Sequence, residues 1–209
     1  MILIAIAGAT AQGGEWRSLF DGKTTAGWRG YRQQTMPDGW KVVDGALTRV
    51  AKAGDIITVD QFEDFELSLE WNIVPGGNSG VLFRVTEDDP VIWHIAPEVQ
   101  VIDNKYKDPL KPVQTAGANY DLHAPSRDVT KPAGSWNEMR IVVKGNHVEH
   151  WLNGVKVVEY ELGSPDWEQR VQASKFKQYA SYGRAKKGHI GLQDHGDKIA
   201  FRNIRIRPL

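Results

Sequence analysis

The sequence contains no cysteine. Disulfides and thiolate metal sites are therefore excluded, and fold stability has to come from packing. Excess charge of one sign is also absent. Lys+Arg and Asp+Glu both number 26 in 209 residues, so no global field draws the chain to nucleic acid or to an anionic membrane. No apolar run approaches the roughly 20 residues that span a bilayer, and no internal repeat is evident. The six histidines form no H-x-x-x-H or related zinc spacing. Glu87-Asp88-Asp89 lacks the alternating ligand spacing of a calcium loop. No cofactor is expected, with a divalent ion gathered from distant residues as the open alternative.

Tryptophan, by contrast, is plentiful. Eight are present, and they supply both core bulk and flat faces on which sugar rings stack. The opening "MILIAIAGATAQGG" has an apolar run at 2–7 followed by Ala9-Thr10-Ala11, an A-x-A pattern suited to signal peptidase. We expect residues 1–11 to be a signal-peptide remnant and a single domain to run from 14 to 209. That places the protein in the periplasm or outside the cell.

Strand signals then recur at short intervals. "FEDFELSLEWNIV" (62–74) alternates, with Phe65, Leu67, Leu69, Trp71 and Ile73 on one face and Glu66, Ser68, Glu70 and Asn72 on the other. Asp44-Gly45 and Asn153-Gly154 are hairpin dipeptides. About ten to twelve strands are counted, none separated by a repeated helix, so an all-β antiparallel sandwich is favoured over a parallel βαβ sheet. One helix is predicted in "PDWEQRVQAS", with Ser164 as cap and Pro165 at its first position. Residues 104–135 read as a long, ordered loop.

Six stretches stand in order: "LFDGKTTAGW" (19–28), "GWKVVDGAL" (39–47), "GGNSGVLFRV" (76–85), "PEVQVIDN" (97–104), "SWNEMRIVVKGNHVEHWLNG" (135–154) and "GHIGLQDHGDKIAFRNIRIRP" (188–208). Together they resemble the bacterial 3-keto-disaccharide hydrolase family over nearly the whole chain. The resemblance implies a concanavalin-like jelly roll of two curved antiparallel sheets. It also implies a periplasmic or secreted enzyme acting on glycosides oxidised at sugar C3.

In such a sandwich one sheet face can remain open as a ligand groove. "PEVQVIDN" suits that position, with Val99 and Val101 directed to the core and Glu98 and Gln100 to the groove. A β-bulge would bring Asp103 to the same side. The resulting E-x-Q-x-x-D resembles the E-x-D-x-x-E of laminarinase-type glycosidases, but with an amide in the middle and a shorter final acid. That departure weakens a retaining mechanism, which needs two carboxyl groups roughly 5–5.5 Å apart. Glu98, His195 and Asp103 are the catalytic candidates. Arg84, Gln100, Glu70, Tyr120, Asp194, Trp93 and His150 are the substrate-binding candidates, and Lys175 is placed at the rim. Bland alternatives are a structural ion pair for Arg84, a turn for Asp103 and a satisfied sheet histidine for His150.

A C3 ketone acidifies the C2 hydrogen, so a base can remove it and the C1 substituent can leave by β-elimination, with water adding afterwards. That route asks for a base (Glu98 or His195), an enolate stabiliser (Arg84 or Gln100) and a leaving-group acid (Asp103 or Tyr120). The expected partner is thus a carbohydrate, an oxidised glycoside. The competing functions are a non-catalytic carbohydrate-binding module and an ordinary endo-glucanase. The sequence leaves the oligomeric state open.

Overall fold

The computed structural model describes residues 14–209; the signal-like segment lies outside the described residues. The strands are β1 (Arg17–Ser18), β2 (Trp28–Gly30), β3 (Trp40–Val43), β4 (Ala46–Arg49), β5 (Ile56–Thr58), β6 (Phe65–Ile73), β7 (Asn78–Val85), β8 (Glu98–Ile102), β9 (Asn137–Lys144), β10 (His147–Leu152), β11 (Val155–Glu161), β12 (His189–Leu192) and β13 (Ile199–Pro208). They form two antiparallel sheets. The larger has eight strands in the order β11-β10-β9-β6-β13-β4-β3, with β1 pairing to β13; the smaller is β2-β5-β12-β7-β8. The expected two-sheet jelly-roll sandwich is what forms.

Local chemistry accounts for most of these elements. Asp44-Gly45 and Asn153-Gly154 take the left-handed conformation at both central positions, with φ of 51° and 75° and of 48° and 81°. This is the turn whose twist matches that of the flanking strands. The β6 alternation resolves as predicted: Phe65, Leu67, Leu69, Trp71 and Ile73 are buried in the inter-sheet core. From the smaller sheet, Val81, Phe83, Val99, Val101, Ile190 and Leu192 meet them there. The opposite face of the smaller sheet carries a second apolar cluster in one half. Tyr31, Ile57, Leu82 and Val85 are covered there by Ile92, Ile95 and Ala96. The other half of that face, over β7 and β8, is where Glu98 and Gln100 emerge.

Two further pieces shape this region. The long loop runs beside β8 and uses its free edge: Gln100 N donates to Ala118 O (3.0 Å), Gly117 N to Gln100 O (2.9 Å) and Tyr120 N to Glu98 O (3.0 Å). An otherwise unpaired edge is covered, and Tyr120 is fixed next to Glu98. Helix α1 (Pro165–Ala173) begins as the sequence predicts, with the Ser164 side chain accepting from Trp167 N at 3.2 Å. Its Trp167 is buried in a stack running from His123 through Tyr160 and Trp167 to Tyr182 and Phe176. Phe176 belongs to a short 3-10 turn, Lys175–Gln178, so this stack also sets the position of Lys175.

Candidate active site

Glu98 sits opposite Leu82, and Gln100 opposite Gly80, in the β7–β8 ladder. Gly80 is required for space: a Cβ there would lie 2.3 Å from Glu98 Oε1. The Glu98 side chain fills the place that any other residue at 80 would occupy. It is buried and, among the described residues, forms no salt bridge. Burial therefore pushes its carboxyl up to about 8; Lys175 pulls the other way, and the Asp55 charge adds to the rise. With the Gln100 amide oriented by its surroundings, its NH₂ donates to Ser79 O (3.1 Å) and Glu98 Oε1 (3.0 Å).

A small cleft of ≈ 170 Å³ opens over this pair, lined also by Asn78, Trp93, Tyr120, Lys175, Gln193 and His195. Asn78 Oδ1 and Gln193 Oε1 are buried and accept no hydrogen bond. Such atoms are costly unless a ligand or water satisfies them. Burial raises the Tyr120 phenol, and the neighbouring Glu98 and Asp121 charges reinforce it, so it stays protonated. Lys175 is solvent-accessible at the mouth, yet its Nζ lies 4.1 Å from the Trp93 ring centre and 4.6 Å from that of Tyr120. Crowding by these groups lowers its ammonium pKa, against the pull of Glu98 and Asp121. His195 is exposed at the edge.

Asp55, just before β5, is a second carboxyl with a displaced titration. Burial pushes it up to about 6; an Asp194 N–H bond at 2.8 Å opposes this and the Asp194 charge adds to it. Its hydrogen bond fixes the chain between Gln193 and His195. Larger hollows of ≈ 610 Å³ around Phe62 and ≈ 600 Å³ around Glu70 lie elsewhere. We place the chemistry in the smaller cleft because the uncompensated buried carboxyl is there, together with two of the three buried amide oxygens that lack a partner among the described residues.

The structure thus brings together Glu98, Gln100, Trp93, Tyr120 and His195, and separates the other candidates from them. Arg84 is turned away: it has φ 53°, and the β7–β12 register shifts beside it. This bulge sends the guanidinium between the sheets, where it donates to Gly145 O (2.7 Å) and Glu63 O (3.1 Å). No bulge brings Asp103 to the groove. Its carboxylate instead accepts Gly76 N (2.9 Å) and Lys105 N (3.0 Å), closing the turns at either side. Asp194 is consumed by Arg49 (2.7 Å) and by the backbone of Ala53 and Gly54. Glu70 lies on the outer face of the larger sheet, bound to Arg202 and Asn203 at 2.7 Å each. His150 is fully buried between Gly117 O (3.0 Å) and the Tyr160 hydroxyl (3.2 Å), and burial lowers its pKa to about 4. It anchors the long loop as a neutral ring. Asn78 and Asp55 carried no sequence signal; only the sheet register brings Asn78 into the cleft and the Asp55 charge within range of Glu98. Among the described residues, one group has metal-like geometry, His147, Glu149 and Glu159, and Lys156 already bridges its two carboxylates.

Residues 15–207 match the family described as the 3-keto-alpha-glucoside-1,2-lyase-like domain. The chain belongs to this family. Membership makes it an enzyme acting on glycosides. A curated relative, a 3-keto-disaccharide hydrolase of Bacteroides thetaiotaomicron, is 35% identical over 92% of this chain and 78% of its own length. A crystal structure from Parabacteroides distasonis, provisionally described as a glycosyl hydrolase, has a TM-score of 0.86 at 33% identity, covering 93% of this chain and 94% of that one. A second structure from that organism, described in the same terms, gives 0.75 at 35%, covering 93% and 100%. A Bacillus subtilis protein with a galectin-like fold, at TM-score 0.53 and 14% identity over 87% of this chain and 94% of that one, shares the fold alone.

Proposed function

We propose that this enzyme cleaves the glycosidic bond of a sugar ring oxidised at C3, by elimination across C1 and C2 with Glu98 as the base. The observation that carries the proposal is the uncompensated Glu98 carboxyl under an open polar cleft. A carboxylate buried this way is a stronger base than an ordinary one, and its pKa of about 8 is close to that of a group that must take and return a proton near neutrality. In the proposed step the C2–H bond breaks and its proton passes to Glu98. The electron pair moves to the C3 oxygen as an enolate. Collapse of the enolate forms a C1–C2 double bond and expels the C1 substituent, whose oxygen takes a proton. Tyr120 and His195 are the protic groups of the cleft wall that can supply it. Addition of water across the double bond then gives net hydrolysis.

The cleft is smaller than the roughly 300–1,000 Å³ typical of sites for drug-sized ligands. It accommodates one ring, with the aglycone outside. Asn78 Oδ1 and Gln193 Oε1 would accept from that ring's hydroxyl groups, and Trp93 would supply an apolar face. The relative named 3-keto-disaccharide hydrolase and the lyase-like family description support this substrate class. A pure binding module would gain nothing from a carboxyl held without a counter-ion. The apolar run and A-x-A pattern of the first eleven residues further support a periplasmic or secreted location, which N-terminal sequencing of exported protein tests.

The deciding experiment incubates the enzyme with a 3-keto-disaccharide and with its unoxidised parent. Turnover of the ketone alone is expected, slowed by deuterium at C2, with deuterium entering C2 of the product in heavy water. Turnover of both sugars would return the chain to conventional glycosidase chemistry, and turnover of neither would leave carbohydrate binding.

A further inference from the structure

We propose that Lys175 is a catalytic residue, the cation that receives the negative charge on the C3 oxygen when Glu98 removes the C2 proton. The inference rests on the reading of the site just given. The sequence assigned enolate stabilisation to Arg84 or Gln100. Arg84 is spent on backbone carbonyls between the sheets, and the Gln100 NH₂ is already shared between Ser79 O and Glu98. An elimination through an enolate would then lack a dedicated stabiliser, unless another cation reaches the cleft.

Lys175 does. A solvent-accessible lysine without a carboxylate partner is ordinary, but this one is held by a built arrangement. Ser174 Oγ accepts Phe176 N at 3.1 Å, and Phe176 is buried with its ring stacked 3.9 Å from Tyr182. That anchors the backbone on either side of Lys175. Its Nζ then lies over Trp93 (4.1 Å), Tyr120 (4.6 Å) and Phe176 (5.2 Å). Ring faces stabilise an ammonium through their quadrupoles, and they do so without engaging its N–H bonds. The three donors stay available to a ligand. The ring contacts leave its N–H bonds free toward the cleft, and that geometry fits electrostatic stabilisation of an oxyanion.

The charge flow supports the same role. Before reaction the negative charge is on Glu98; after proton transfer Glu98 is neutral and the charge is on the C3 oxygen. A cation that shares the cleft with Glu98 accompanies the charge as it moves, and its benefit is greatest when it sits nearer the oxygen. A C3 hydroxyl develops no such charge. Lys175 would therefore make the enzyme select oxidised rings by rate and not by fit alone.

The test compares wild type with Lys175→Met, which keeps the length of the side chain, and with Lys175→Arg, which keeps the charge. On a 3-keto-glycoside, kcat of the Met variant should fall roughly 10²–10³-fold, as for loss of one oxyanion donor, with a smaller change in KM. The Arg variant should retain more activity than the Met variant. A 3-keto sugar lacking a C1 leaving group isolates proton removal: wild type should exchange its C2 hydrogen in heavy water and the Met variant should exchange it far more slowly. Borohydride added during turnover should leave Lys175 unmodified by mass. Near-wild-type kcat and exchange in folded Lys175→Met would overturn the assignment while leaving the elimination intact. A borohydride-trapped sugar on Lys175 would replace it with covalent catalysis. Failure of wild type to process any 3-keto-glycoside would remove both the functional reading and this one.

Discussion

Glu66 on β6 and Glu98 on β8 are both acids in strands that alternate with core residues, both are buried, and the fold treats them in opposite ways. Glu66 lies on the outer face of the larger sheet, and Arg140 (2.8 Å) and Arg207 (2.7 Å) each take one of its oxygens. Burial alone would raise its pKa, but the two guanidinium groups outweigh burial and the carboxyl titrates below its usual range. Glu98 is as little exposed and, among the described residues, has no guanidinium partner. This sandwich can build a neutralised buried carboxylate, and at Glu98 it has not done so. The lesson is that burial identifies neither residue as functional; the missing counter-ion does.

The largest test of that contrast is on turnover. Glu98→Gln keeps the volume and polarity and removes the basicity, so turnover of a 3-keto-glycoside should fall roughly 10²–10⁴-fold. Glu66→Gln should stay within about twofold, as expected for a residue remote from the cleft. In wild type the rate should rise with pH toward the Glu98 pKa of about 8 and level off above it. A rate that instead falls through this range would make Glu98 the acid of the reaction and not its base.

Next in size is Gly80→Ala. The new methyl would start 2.3 Å from Glu98 Oε1, so the carboxyl must move. Displacement of about 1 Å costs on the order of 10²-fold in rate. Glu66→Gln should show no equivalent loss, and steady-state kinetics on Gly80→Ala and Glu66→Gln decides it.

The third effect is on stability, and the two acids should differ in sign. Glu98 has a folded pKa above its unfolded value, so the folded state holds its proton longer. Its contribution is fully present below about pH 4.5, the ordinary glutamate value, and is lost as pH rises toward about 8. Glu98→Gln should therefore be increasingly stabilising relative to wild type over that window, by at most about 1.4 kcal/mol per pH unit. Glu66 is depressed, so its contribution is present above the usual carboxylate range and lost as pH falls through its folded pKa. Urea unfolding of both Gln variants across pH measures this directly, and parallel curves would refute the contrast. The smallest effects should come from Asp103→Asn and Glu70→Gln, each within about twofold in turnover, because neither side chain reaches the cleft.

Much of the fold was legible in the sequence because it is written in local chemistry. Alternation fixed which face of β6 and β8 enters the core, Asn-Gly and Asp-Gly marked hairpins, and Ser164-Pro165 marked the helix start. Each depends on neighbours two to four positions away, and the same alternation put Glu98 and Gln100 on the open side. The rest of the site depends on groups distant in the chain. A bulge at Arg84 reversed a side chain that parity had aimed at Glu98. Lys175 reached the cleft because a buried aromatic stack docked its turn against the long loop. Asp194 and His150 lost their assigned roles to Arg49 and to Gly117, partners 145 and 33 positions away. Sequence alone determined which residues of β8 face the cleft. Only tertiary structure decided which charges found partners, because Coulomb and hydrogen-bond energies depend on distances in space that no local pattern encodes.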